Sequence, residues 1–248
     1  MKYLIELSFL GTNYYGWQKQ LVQPTVQAEL NKSLSIFFRE NISTVGCGRT
    51  DTGVHAIQFY AHFELDSAIS DFKDVIYHIN AILPPDIAIK NINLVPEDFH
   101  ARYSAISRTY SYLITKNKNP ILMDRAWFFG KTINTQLIKD NLSTLIGIHD
   151  FSAFAKKMPI NNYNCNIYDA TIMEHKDYII FSITANRFLR QMVRSIVGVL
   201  ISIGTNVTEE KLINELLLHK DRSKIKIIAP PQGLYLTRVT YPEGTTLI

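Results

Sequence analysis

The chain has 248 residues, 46% hydrophobic and 19% charged, enough apolar mass to bury a full core in one large or two small domains. That composition excludes a disordered, collagen-like or small disulfide-stapled protein. Lysine and arginine number 26 against 22 aspartates and glutamates, a net charge of +4 that permits a polyanionic partner without demanding one.

Residues 2–10 alternate and are rich in strand formers, and Gly11-Thr12-Asn13 breaks the run, so a strand and a turn open the chain. Glu6 interrupts this apolar stretch before it reaches the length of a secretory core. Thr25 is placed to cap a helix in which Val26, Leu30, Leu34 and Phe37 share a face, ending near Asn41. Strand-like runs at 43–45 and 56–65 flank a glycine-rich loop. Val75, Ile76, Ile79, Ile82 and Leu83 then line a helix that Pro84-Pro85 stops, and 86–95 reads as a strand.

The alternation repeats in the second half. Residues 108–115 form a strand, 135–146 a helix closed by Gly147, and two strands lie either side of Lys176-Asp177. A long helix is expected from about Arg187. Phe188, Met192, Ile196, Val199, Leu200 and Ile203 lie on one side of it and Arg187, Arg190 and Arg194 on another. Its apolar run, 195–203, is about half of the roughly 20 residues that span a membrane. A helix at 209–218 and a strand at 234–241 finish the chain. The expected class is α+β: two packed βαβ-type halves, residues 1–105 and 106–248, with mixed or antiparallel sheet and flanking helices around a central cleft. A soluble, cytoplasmic protein is expected. The cysteines, Cys47 and Cys165, and seven scattered histidines lack the spacing of a metal site, and none is expected.

The segment richest in chemistry is Gly46-Cys47-Gly48-Arg49-Thr50-Asp51-Thr52-Gly53-Val54-His55. Its three glycines imply positive φ or close approach of another group. It is no phosphate loop, because Asp51 stands where G-x-G-x-x-G needs its last glycine and no Gly-Lys-Ser/Thr follows. Two readings of the residues remain open. Asp51 caps a turn beside a solvated Arg49, or it is a nucleophile or base that a nearby arginine keeps ionised.

Residues 48–55 resemble the catalytic motif of the bacterial tRNA pseudouridine synthase A family, and the likeness extends along nearly the whole chain. Tyr14-Tyr15-Gly16-Trp17-Gln18 is similar to that family's N-terminal motif. Residues 98–105 followed by Arg108-Thr109-Tyr110 are similar to the segment that brings its stacking tyrosine. Further similar blocks are Asn186-Arg187-Phe188-Leu189, Met192-Val193-Arg194 with Val197-Gly198, and Gly233-Leu234-Tyr235-Leu236. The chain departs from the family at Thr52, at Asn164-Cys165-Asn166, where many members carry an arginine, and at residues 224–228.

The resemblance implies an isomerase that converts uridine to pseudouridine at positions 38 to 40 of the tRNA anticodon stem-loop and works as a homodimer; a pseudouridine synthase acting at other tRNA positions is the alternative within the same chemistry. Asp51 would be the nucleophile and Tyr110 the ring on which the uracil stacks, with Arg49 and Arg194 binding substrate beside Asp51. Arg187, Arg190, Arg102 and Arg108 are candidate RNA contacts, as are Lys19, Arg39, Lys156 and Lys157. The reaction is neither a redox step nor a net hydrolysis, so no cofactor is implied. Two rival classes compete with this one. One is an RNA-binding module in which Asp51 only braces its loop; the other is a hydrolase pairing Asp51 with His55 or His100.

Overall fold

The computed structural model describes residues 1–157, 159 and 161–245. They group into two compact units, Met1–Ile106 joined by the chain from Leu236 onward, and Ser107–Tyr235.

In the first unit the order is β1 (Lys2–Phe9), α1 (Val26–Phe38), β2 (Val45–Gly46), β3 (His55–Glu64), α2 (Phe72–Ile82) and β4 (Ile87–Val95). β1 is central, antiparallel to β3 on one side and β4 on the other, and β2 pairs antiparallel with β3. Tyr3, Leu4 and Ile5 are buried in succession, which requires cover on both faces of the strand. The Thr25 hydroxyl accepts the Ala28 N–H at 3.4 Å to cap α1. The helix stops at Arg39, whose φ of 59° is left-handed and cannot continue a right-handed turn. The Asp71 carboxylate caps α2 by accepting the N–H groups of Lys73 and Asp74 at 2.8 and 3.1 Å. Val75 and Ile79 are buried, whereas Ile82 is exposed, so the packed stripe of α2 is narrower than its apolar periodicity.

The second unit contains β5 (Ser107–Thr115), β6 (Trp127–Phe128), α3 (Thr135–Leu142), β7 (Gly147–Asp150), β8 (Asn164–Glu174), β9 (Tyr178–Ala185), α4 (Met192–Gly204) and α5 (Leu212–His219). β5 pairs antiparallel with β9, β9 with β8 and β8 with β7, while the short β6 runs parallel to β5. Every residue of α4 except Arg194 is buried. Such a helix has no solvent face and must be covered all round; α3 and α5 pack against it. Among the described residues, no helix is long and apolar enough to cross a membrane.

The last strand, β10 (Leu234–Thr240), lies beside β3. Val239 donates its N–H to the Gln58 Oε1 at 3.1 Å, and the Tyr241 hydroxyl donates to the Ala101 carbonyl at 2.7 Å. The chain from Leu236 therefore groups with the first unit, although it follows the second in sequence.

The α+β class is the one expected from sequence, but the long basic helix is not. α4 starts at Met192, five residues later than the periodicity suggests, because Gln191 sits at a left-handed φ of 64°. Asn186 is held outside any helix by two bonds to Asn166: its N–H donates to the Asn166 carbonyl at 3.1 Å, and its Oδ1 accepts the Asn166 N–H at 2.9 Å. Arg187 and Arg190 thus precede the helix and do not share a helical face with Arg194. The helix expected at 135–146 also ends early, at Leu142, followed by a 3-10 turn at Ser143–Leu145.

Candidate active site

The glycine-rich loop hangs between β2 and β3. Its first residues are tied down by sheet-like bonding, since the Cys47 N–H donates to the Tyr60 carbonyl at 2.7 Å, and Cys47 is buried. Behind it lies Trp17, which stacks on Phe59 with ring centroids 4.2 Å apart and is also buried. A Cβ on Gly46 would come within 2.5 Å of the Trp17 indole nitrogen, so that glycine is dictated by packing. Gly53 is dictated by backbone: its φ is 76°, and it completes a turn in which the Val54 N–H donates to the Asp51 carbonyl at 3.2 Å. Gly48 meets neither requirement, because its Cβ would point into open space and its φ is not left-handed. The expectation that all three loop glycines are forced is corrected at that position.

The N-terminal motif clamps the other side of the loop. The Trp17 N–H donates to the Thr50 carbonyl at 3.4 Å and the Gly53 N–H to the Tyr14 carbonyl at 3.2 Å. Gly16, at φ 88°, passes so close that a Cβ there would sit 2.4 Å from the Thr50 carbonyl oxygen. Tyr14 is anchored in turn by its hydroxyl, which donates to Asp86. Burial and the Asp86 carboxylate push the Tyr14 phenol well above its usual range, so it stays a donor. The result is an aspartate, Asp51, whose neighbours Thr50 and Val54 are buried while it is only half-buried itself.

His55 is fully buried, and its Nδ1 accepts the Gly11 N–H at 2.8 Å. That bond braces the turn after β1. The His100 Nδ1 is likewise occupied, accepting the N–H groups of Arg102 and Tyr103 at 3.1 and 3.3 Å. Arg49 is exposed, and among the described residues no ion pair joins it to Asp51.

Of the other predicted site residues, Lys19, Arg39 and Arg102 lie in the first unit and the rest in the second. Tyr110 is half-buried on β5, opposite Ile183 of β9, with Phe188 meeting its ring edge-on at 5.2 Å. Tyr112, two residues along the strand, is fully buried and donates its hydroxyl to the Pro230 carbonyl at 2.6 Å. The two tyrosines therefore separate into one packed in the core and one with part of its surface open. Gly233 makes room for Tyr112, since a Cβ there would lie 2.6 Å from its Cζ. Arg194 leaves α4 and donates through Nε to the Ala229 carbonyl at 2.7 Å, while the Ala229 N–H donates back to the Arg194 carbonyl. Arg108 donates to the Asn186 carbonyl at 2.9 Å and Arg187 to the Asn162 carbonyl at 2.7 Å. Arg190 is exposed, as are Arg102, Lys19, Arg39, Lys156 and Lys157. The sequence reading missed the supporting roles of Trp17, Gly16 and His55. For Gly16 and Trp17 the signal was an N-terminal motif that combines glycine and aromatics without helical or strand period; His55 closes the glycine-rich segment itself.

Comparison with known proteins agrees with this architecture. The family model described as tRNA pseudouridine synthase matches residues 7–104 and 142–242, segments that include the Asp51 loop, β8, β9, α4 and β10. The chain is 40% identical over 241 residues to the tRNA pseudouridine synthase A of Thermoanaerobacter sp. (strain X514), covering 96% of this chain and 98% of that one. It is 37% identical to the protein of that name from Aquifex aeolicus, again over 96% and 98% of the two chains. With the one from Shewanella woodyi it shares 39% identity over 98% and 94%. On these matches and on the order of its elements, the chain belongs to the tRNA pseudouridine synthase family.

Proposed function

We propose that Asp51 is the catalytic carboxylate with which this tRNA pseudouridine synthase converts uridine to pseudouridine at positions 38 to 40 of the anticodon stem-loop. The reaction breaks the N1–C1′ bond, turns the uracil, and joins C5 to C1′; C5 loses a proton and N1 gains one. Two catalytic requirements follow: a carboxylate beside the sugar and a surface that retains the detached base. The observation that carries the proposal is the Asp51 turn, gripped by Trp17 and Tyr14 on one side and β3 on the other, with the carboxylate only half-buried. Such support fixes a nucleophile in one orientation before substrate arrives.

Tyr110, its ring buttressed by Phe188, is suited to stack the uracil, a contact worth about 1–3 kcal/mol. Arg194 is proposed, on the family resemblance, as the arginine that pairs with Asp51 and favours its charged form. Arg49, Arg187, Arg190, Arg102 and Arg108 are proposed RNA contacts. A homodimer acting in the cytoplasm completes the reading and rests on the family resemblance.

The test follows from the lost C5 proton. tRNA transcribed with uridine tritiated at C5 releases tritium to water only if the C5–C1′ bond forms. Asp51→Asn keeps the side-chain volume but can neither attack C1′ nor accept a sugar proton. It should bind tRNA within a few fold of wild type and release tritium at no more than a few per cent of the wild-type rate. Turnover well above that level would remove Asp51 from the chemistry, and mapping the product would fix the positions.

A further inference from the structure

Between β4 and β5 the chain makes a compact loop in which three backbone N–H groups end on imidazole nitrogens. Ala101 donates to the Nδ1 of His62, on β3, at 3.1 Å. Arg102 and Tyr103 both donate to the Nδ1 of His100. The loop is tied further by Ser104, whose N–H donates to the His100 carbonyl at 2.9 Å and whose hydroxyl accepts the His100 N–H at 3.0 Å. Both histidines must be neutral at Nδ1 to accept these bonds. Burial holds them so, pushing His62 down to about 4 and lowering His100 as well, with Lys2 repelling a proton on either ring.

On this rigid base the rings form a short ladder. His62 and His100 are 5.0 Å apart edge to face, and the Tyr103 ring lies 4.3 Å from His100 at 35°. The Arg102 guanidinium carbon stands 5.6 Å from the Tyr103 centroid. Tyr103 is 75% exposed, although the backbone N–H groups of residues 100–104 are all hydrogen-bonded. A large aromatic ring left three-quarters in water gains little burial from folding, yet the loop beneath it is closely hydrogen-bonded.

We infer that Tyr103, backed by His100 and flanked by Arg102, is a stacking platform for an unpaired nucleobase of the tRNA, with Arg102 meeting the adjoining phosphate. The inference rests on the reading of the chain as a tRNA-modifying enzyme. It adds a binding position away from the Asp51 turn. Drawing a target uridine out of a stem disturbs its neighbours and costs a few kcal/mol. A preset aromatic face that accepts an unstacked base offsets that cost, and a base is the planar partner whose own phosphate suits an adjacent arginine.

The test uses tRNA transcripts, with dissociation constants measured at several salt concentrations beside single-turnover tritium release. Tyr103→Ala should weaken binding about tenfold and leave the slope of log affinity against log salt unchanged, since no charge is lost. Tyr103→Phe keeps the face and should stay within about twofold of wild type. Arg102→Gln should reduce the slope by about 0.7 to 0.9. All three should melt with the wild type, because both side chains are exposed. Wild-type affinity in Tyr103→Ala, or a Tyr103→Phe as weak as the alanine variant, would overturn the platform while wild-type turnover leaves the enzymatic reading intact. A wild-type protein that neither binds tRNA nor releases tritium would remove both.

Discussion

At the scale of single residues, what distinguishes Asp51 is the set of contacts that deny its loop any freedom. Gly16 is one of them, and it combines a left-handed φ of 88° with a carbonyl oxygen 2.4 Å from where a Cβ would stand. An alanine there would pay about 1–2 kcal/mol for its backbone conformation alone. It would also push the Thr50 carbonyl away from the Trp17 N–H. Gly16→Ala should therefore lower the melting temperature by several degrees and reduce turnover more than tRNA affinity, as thermal denaturation and single-turnover kinetics would reveal. The same substitution at Gly48, whose Cβ direction is open, should do neither. The motif containing Asp51 was legible in the sequence, but the difference between Gly48 and its neighbours was not. Whether a glycine is forced depends on φ and on what crosses it, and neither follows from its own neighbours in the chain.

At the scale of elements, local rules governed the helix ends wherever a side chain caps its own helix. Asp71 is such a case, accepting two N–H groups of the first turn of α2 from an exposed position. Asp71→Ala should cost about 1 kcal/mol, and Asp71→Ser should recover most of it; equilibrium denaturation of the two variants would measure this. The start of α4 broke the same rules. Apolar spacing continues smoothly back to Phe188, yet Phe188 turns to meet Tyr110 and Gln191 takes a left-handed conformation. Asn186 ties the preceding residues to β8 through Asn166. Three arginines that periodicity would set along one face are consequently distributed over a loop and a helix. β6 and β7, two and four residues long, carried no signal because alternation needs a longer run to be seen.

At the scale of the whole molecule, the buried His62 links stability to pH. Its folded-state value, about 4, lies below the ordinary 6.5, chiefly through burial, with His100 and Lys2 acting in the same direction and Glu64 against them. The neutral ring is the one the folded state prefers. Its contribution is therefore complete above pH 6.5 and is lost as the pH falls toward 4. His62→Asn preserves an acceptor for the Ala101 N–H without a titrating ring. Melting temperatures recorded from pH 7 to pH 4 should fall less steeply for this variant than for wild type, and parallel curves would exclude His62 as a source of the acid sensitivity.

The sequence by itself determined the α+β class, the position of most strands and helices, and the loop that bears Asp51. Each of these is written in short-range information: a period of two or 3.6, a capping side chain, a proline pair, a run of neighbouring residues. Tertiary structure decided that His55 braces Gly11 across 44 residues and that His62 receives Ala101 across 39. It also decided that β10 returns to the first unit and that Tyr112 is core while Tyr110 keeps an open surface. These outcomes turn on which distant groups meet, and burial, hydrogen-bond partners and left-handed backbone are set only once those groups have packed together.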